Sequence, residues 1–228
     1  MENILELENV CAGYNKENII QNISFEIKNS ESVLILGPNG SGKSTILKTI
    51  YGLLNPDQGR IYYGDHDITN LKTHKLSEKG ISYLPQENNF FDSMTVEKHL
   101  RLFEQNNGVS RKEVYSYFPK LSDLSGKKLK NLSGGEQQML ALSRIILEEP
   151  KIALLDEPTA GLSPDVRKNI YSVLEELKES GTTILMVEQN LKPALDFVDT
   201  SLMVRKGEIE DNFSPNEPIE DLKDIYFG

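Results

Sequence analysis

Gly37-Pro38-Asn39-Gly40-Ser41-Gly42-Lys43-Ser44 stands between the apolar run Val33-Leu34-Ile35-Leu36 and the stretch Thr45-Ile46-Leu47-Lys48-Thr49-Ile50-Tyr51. It fits the pattern G-x-x-x-x-G-K-[ST], in the strand, loop and helix setting that the pattern demands. Its glycines let the backbone turn tightly and bring successive N–H groups onto a polyphosphate, where a Cβ would stand in the way. Lys43 supplies a point charge to the β and γ phosphates, and the Ser44 hydroxyl is placed to ligate Mg2+. The phosphates then lie on the N-terminus of the following helix, which Gly52 stops. The bland alternative is a glycine-rich turn with no ligand; the complete motif in its context favours a nucleotide site.

The rest of the composition bounds what such a site can belong to. A chain of 228 residues suits one domain with room for an inserted lobe. Cys11 is the only cysteine, which excludes an internal disulfide and fits a reducing compartment. The start, Met1-Glu2-Asn3-Ile4-Leu5-Glu6, lacks the apolar core of a signal peptide, and no run of about 18 apolar residues offers a membrane span. The formal net charge of -10 argues against binding nucleic acid through a basic surface. It does not oppose an anionic nucleotide, because distant carboxylates are screened over about 8–10 Å in physiological salt.

Taken in order, residues 4–10 and the alternating Ile23, Phe25 and Ile27 read as two strands around a turn at residues 14–18. Tyr14 in that turn either stacks on a base or packs half-buried, and position alone does not choose. Past Asn55-Pro56-Asp57-Gln58-Gly59 come a strand at 60–63, a turn at Gly64-Asp65, a short helix at 71–79 and a strand at 81–84 stopped by Pro85. Gln86 stands just beyond that strand, where ligand-facing residues of an open α/β sheet collect. The strand-like runs then cease. Helical fragments at 95–104 and 111–118, joined by polar linkers such as Gln105-Asn106-Asn107-Gly108, mark a helical insert.

Leu132-Ser133-Gly134-Gly135-Glu136-Gln137 ends the insert and opens a helix carrying Met139, Leu140, Leu142, Ile145 and Ile146. Ser133 suits an N-cap, but a cap has no need of two glycines, which leave the helix N-terminus open to an anion. Lys151-Ile152-Ala153-Leu154-Leu155-Asp156-Glu157-Pro158 reads as a strand buried on both faces that delivers two carboxylates at its C-terminal end. Buried carboxylates are costly unless paired or metal-bound, so Asp156 is expected to meet Mg2+ and Glu157 to orient or activate a water. Ser163-Pro164 starts a helix to Glu179, and a buried strand at 182–187 brings Glu188-Gln189-Asn190 to the same edge. A short helix at 190–198, strands at 201–204 and 208–211, and an acidic tail from Asn212 to Gly228 expected to pack peripherally complete the chain.

These motifs in this order, over nearly the whole chain, resemble the ATP-binding subunit of ABC transporters. The phosphate loop is shared by many NTPases; the Leu132-to-Gln137 stretch upstream of Leu154-Leu155-Asp156-Glu157-Pro158 is close to diagnostic. The resemblance implies a P-loop NTPase core (about 1–86 and 150–228) of α/β class, with a mostly parallel sheet flanked by helices. It also implies an N-terminal antiparallel β subdomain and a helical insert at about 87–149. Tyr14 then matches the adenine-stacking aromatic, Gly37 to Ser44 with Thr45 the phosphate loop, and Gln86 the glutamine joining Mg2+ and attacking water to the membrane partner. Asp156 matches the metal-associated aspartate and Glu157 the catalytic glutamate, while Ser133, Gly134 and Gly135 match the signature that caps ATP held by another subunit. Two such subunits, identical or different, would sandwich two ATP with Mg2+ and drive integral membrane permease subunits from the cytoplasmic face of the membrane. An extracytoplasmic solute-binding protein and no nucleic acid complete the implied set of partners.

Two positions depart from the family. Gln189 stands where a histidine usually contacts the γ-phosphate, so a neutral donor is expected to sense it; Ser163 replaces a common aspartate. Val187-Glu188-Gln189-Asn190 and the residues 133–141 look like branched-chain amino-acid importers and their amide or urea relatives. Leu84-Pro85-Gln86-Glu87 and the Ile225-Tyr226-Phe227-Gly228 ending look like the ATPase of lipopolysaccharide export. A non-transport ABC ATPase would usually carry two cassettes or a coiled-coil insert, and a phosphotransferase leaves residues 133–137 unexplained.

Overall fold

The computed structural model describes residues 2–15, 17–87, 90–104 and 108–213. Most of the acidic tail and the Gln105-Asn106-Asn107 linker lie outside them. Two sheets result. The first is antiparallel, in the order β2-β1-β4-β5, from β1 (Asn3–Tyr14), β2 (Glu17–Lys28), β4 (Gln58–Tyr63) and β5 (His66–Asp67). The second runs β10-β9-β3-β8-β7-β6: β3 (Ser32–Leu36), β6 (Ile81–Leu84), β7 (Ile152–Asp156), β8 (Thr183–Val187) and β9 (Thr200–Arg205) are parallel, and β10 (Glu208–Phe213) is antiparallel at the edge.

Helices α1 (Lys43–Ile50), α2 (Thr73–Glu78), α7 (Pro164–Glu179) and α8 (Leu191–Phe197) connect strands. Between β6 and β7 lie α3 (Val96–Phe103), α4 (Arg111–Tyr117), α5 (Pro119–Asp123) and α6 (Gly134–Glu148), with no named strand among the described residues. The unbroken apolar runs have a direct cause. Val33, Ile35, Ile152, Leu154, Leu185 and Val187 pack on the side of the antiparallel sheet and α1. Leu34, Leu36, Ala153, Leu155, Ile184 and Met186 pack with α6 and α7. A parallel strand covered on both faces has no polar side to alternate with.

Several expected boundaries move, each for a local reason. β1 continues past residue 10 because a bulge at Glu8-Asn9 shifts its buried set from Leu5 and Leu7 to Val10 and Ala12, with Asn9 at φ 47°. The two-residue alternation is broken there, which hides the strand's second half. β2 does the same at Asn22, with φ 50°, between Ile20 and Ile23. β10 extends two residues into what reads as tail. Ser163 occupies the N-cap position of α7 but makes no side-chain capping bond.

Candidate functional site

The register of the parallel strands sets four chain ends side by side: Ile35 lies opposite Val187, Val187 opposite Asp156, and Leu155 opposite Leu84. The phosphate loop, Gln86, Asp156-Glu157 and Gln189 all leave the sheet at this C-terminal edge, where open α/β sheets bind ligands. A cleft of about 340 Å³ opens there, walled by Ile19, Asn39, Gly40, Gly42, Lys43, Ser44, Thr45, Gln86, Glu157 and Gln189. The glycine at 37 is required by close packing: its φ is +147°, and a Cβ would stand 2.1 Å from the carbonyl oxygen of Val204. Pro38 and Ser41 belong to the same loop but are not among these wall residues. The Ser41 hydroxyl is buried with no hydrogen-bond partner among the described residues.

Charge is concentrated at the floor. The Lys43 ammonium donates to the carbonyl oxygens of Gly37 at 2.7 Å and Pro38 at 3.0 Å. Burial lowers its pKa, and the nearby Glu157 and Asp156 carboxylates oppose the fall. Asp156 is almost wholly buried; its Oδ1 accepts from the Ser44 hydroxyl at 2.8 Å and its Oδ2 from the Tyr83 hydroxyl at 3.2 Å. Burial raises the Asp156 pKa, and those two hydrogen bonds act against it. A hydroxyl and a carboxylate in contact form a hard oxygen donor set, which fits Mg2+ completed by phosphate oxygens and water.

Glu157 is held more tightly than its sequence suggests. Its φ of 52° is a left-handed value that costs a side-chain-bearing residue about 1–2 kcal/mol. Its N–H donates to the Val187 carbonyl at 2.9 Å. The amides of Gln86 and Gln189 donate to the same oxygen, Oε2, at 2.7 and 2.8 Å. Gln86, expected on the metal, and Gln189, expected on the γ-phosphate, thus both meet the carboxylate that faces the cleft. Tyr14 ends β1 at 44% exposure and is not among the wall residues. Ile19 supplies the apolar wall instead; sequence reasoning misses it because nothing distinguishes it from any other residue of an alternating strand.

Ser133, Gly134 and Gly135 do not line this cleft. They form the N-terminus of α6, where a capping box forms: Ser133 N–H donates to Glu136 Oε2 at 2.9 Å and Glu136 N–H to Ser133 Oγ at 3.4 Å. Lys120 and Lys127 lie 3.1 and 3.3 Å from the same carboxylate. The Ser133 N–H chiefly, helped by both lysines, holds the Glu136 carboxyl down to about 2. A carboxyl whose folded pKa is depressed contributes stability that is present above its unfolded value, here 4.5, and is lost as the pH falls toward the folded value. Urea unfolding across pH is therefore expected to show the wild type more stable than Glu136→Gln above pH 4.5, with the gap closing toward pH 2. A gap that stays constant with pH would contradict this coupling.

The comparisons with known proteins bear on this geometry directly. The family model described as ABC transporter matches residues 20–160. The chain belongs to the ABC transporter family. A probable branched-chain amino acid transport ATP-binding protein, LivF of Archaeoglobus fulgidus, is 36% identical over 93% of this chain and 92% of its own length. The lipopolysaccharide export system ATP-binding protein LptB of Haemophilus influenzae is 31% identical over 99% of this chain and 97% of its own. Among solved structures, the dimeric ATP-binding cassette MJ0796 bound to ADP and Pi superimposes with a TM-score of 0.82 at 26% identity, covering 94% of this chain and all of that one. The molecule is thus an ABC transporter ATP-binding subunit and an ATPase of that family, with the fold expected from its motifs. Among its described residues no helix is long and apolar enough to cross a membrane.

Proposed function

We propose that this ABC subunit binds MgATP between two head-to-tail copies of itself or of a close relative, and that hydrolysis there drives import of branched-chain amino acids or similar small polar solutes. The observation that carries the dimer is the Gly134-Gly135 pair. Glycine in a helix costs up to about 1 kcal/mol relative to alanine, yet a Cβ on Gly134 would meet nothing within 4 Å and one on Gly135 only ordinary contacts at 3.8 Å or more. Nothing among the described residues demands them. A phosphate approaching the α6 N-terminus from outside does, and Ser133 then caps the γ-phosphate held by the other copy.

Within each half, the phosphate loop and Thr45 hold the polyphosphate, and Ser44 and Asp156 hold Mg2+, with Gln86 reaching toward it. A divalent cation held there would offset the charge of the phosphate oxygens. Glu157 takes the proton of the attacking water, and Gln86 and Gln189 orient that carboxylate. Tyr14 stacks on adenine in this reading, which its exposure at the end of β1 allows. Residues 1–86 and 150–228 act as the nucleotide-binding core and 87–149 as the helical insert. A groove of about 210 Å³ beside Pro85, lined by Leu84, Phe90, Phe91, His99, Leu102 and Phe103, takes the permease, which places the subunit on the cytoplasmic face of the membrane. Phe91 and Leu102 are 71% and 60% exposed there, an apolar surface that suits such a contact.

Import is favoured by the likeness to LivF; lipopolysaccharide export is a second reading, supported by the LptB likeness along the whole chain. The subunit, reconstituted in proteoliposomes with its membrane subunits and a solute-binding protein, is expected to accumulate labelled leucine or isoleucine on ATP addition. ATP-dependent extraction of lipopolysaccharide, with no amino-acid uptake, would select export.

A further inference from the structure

Glu188 is fully buried, directly follows β8 and does not line the nucleotide cleft. A carboxylate taken out of water at this depth is costly unless its oxygens are met by donors. Both are. The N–H of Thr159 donates to Oε1 at 2.8 Å, and the N–H of Gln189 donates to Oε2 at 3.2 Å. Burial raises the pKa of this carboxyl, and hydrogen bonds from Thr159, Asn190 and Gln189 oppose the rise.

The two donors belong to different loops. Thr159 lies two residues beyond Glu157; Gln189 carries the amide that donates to Glu157 Oε2 at 2.8 Å. The Glu157 N–H and the Val187 carbonyl, 2.9 Å apart, close the same pair of loops from the sheet side. Glu157 sits between these ties at φ 52°, a conformation that persists only where its surroundings fix it.

We propose that Glu188 is a positioning residue for hydrolysis: by tying the Thr159 loop to Gln189, it fixes the Gln189 amide on Glu157 and so sets the direction in which that carboxylate faces the cleft. Glu188 stands outside the lining of the cleft and acts through Gln189. The role rests on the reading of Glu157 as the catalytic carboxylate.

The test compares ATP turnover, ATP affinity and melting temperature of the full chain for Glu188→Ala, Glu188→Gln, Gln189→Ala, the 188/189 double variants and Glu157→Gln. Glu188→Ala is expected to lower kcat about tenfold with KM for ATP unchanged, because misplacing a reacting group by about 1 Å can cost up to a hundredfold. Glu188→Gln, which keeps the shape and one acceptor oxygen, is expected to fall between Glu188→Ala and wild type. The Glu188→Ala/Gln189→Ala variant is expected to turn over no more slowly than Gln189→Ala alone, since both changes remove one tether. A purely structural contribution from Glu188 would instead multiply with that of Gln189, and that result, or wild-type kcat in Glu188→Ala, overturns the proposal. If Glu188→Ala does not fold, Glu188→Gln combined with Gln189→Ala carries the same comparison. Full turnover in Glu157→Gln would remove the reading beneath the proposal. An inactive Glu157→Gln beside multiplicative effects at 188 and 189 removes the role of Glu188 alone.

Discussion

Glu157→Gln is expected to reduce ATP turnover by about 10²- to 10⁴-fold while ATP still binds, and to leave the chain as an ATP-stabilised dimer. The substitution removes the carboxylate that lines the cleft, the group assigned to accept a proton from water, without removing any contact to phosphate. It is also gentle. An amide at 157 keeps a carbonyl oxygen, which can turn to accept the Gln86 and Gln189 amides that now meet Oε2 at 2.7 and 2.8 Å. The left-handed backbone and the bond from its N–H to Val187 are untouched by a change at the side-chain tip. Phosphate release, fluorescent-nucleotide titration and size-exclusion chromatography with MgATP give the three readouts. A monomer at saturating MgATP would sink the composite site, and undiminished turnover would take Glu157 out of the chemistry.

Gly134→Ala is expected to separate stability from activity in an unusual direction. The backbone at 134 is helical and space around it is open, so alanine should raise unfolding stability by about 0.4–1 kcal/mol by restricting the unfolded chain. Turnover should nevertheless fall on the order of 10²-fold, the scale of losing a main-chain donor to a developing anion, because the added methyl group stands where the second copy's phosphate must come. A protein both more stable and as active as wild type would mean that this helix end faces only solvent. Loss of stability would mean that the glycine serves its own helix after all.

How much of this was legible in the sequence depends on whether the signal was local. The phosphate loop and the strands at 33–36, 152–156 and 183–187 are local patterns, and the structure places them within a residue or so of expectation. The bulges at Asn9 and Asn22 are not, since each inverts the in-and-out phase of its strand and mimics a strand end. α5 is not legible because five residues starting at Pro119 give no helical period to read. The family resemblance is carried by the residues of the cleft and the α6 N-terminus; the ABC match, over residues 20–160, takes in the phosphate loop, Gln86, the α6 N-terminus and Asp156-Glu157 but not the wall residues Ile19 and Gln189. What no pattern could give is the sharing of one Glu157 oxygen by Gln86 and Gln189, residues 71 and 32 positions away along the chain. Glu188 was hidden for a similar reason. Beside a motif residue it reads as polar filler, and only its full burial shows otherwise.

The alternation of β7 has a mechanical corollary. Ile152 and Leu154 key into one hydrophobic body, Ala153 and Leu155 into the other, and the chain emerges from that seam directly as Asp156-Glu157. Dense interiors transmit displacement rather than absorb it. Gripped from both faces, this strand leaves its two terminal carboxylates little freedom to shift without disturbing one packed body or the other.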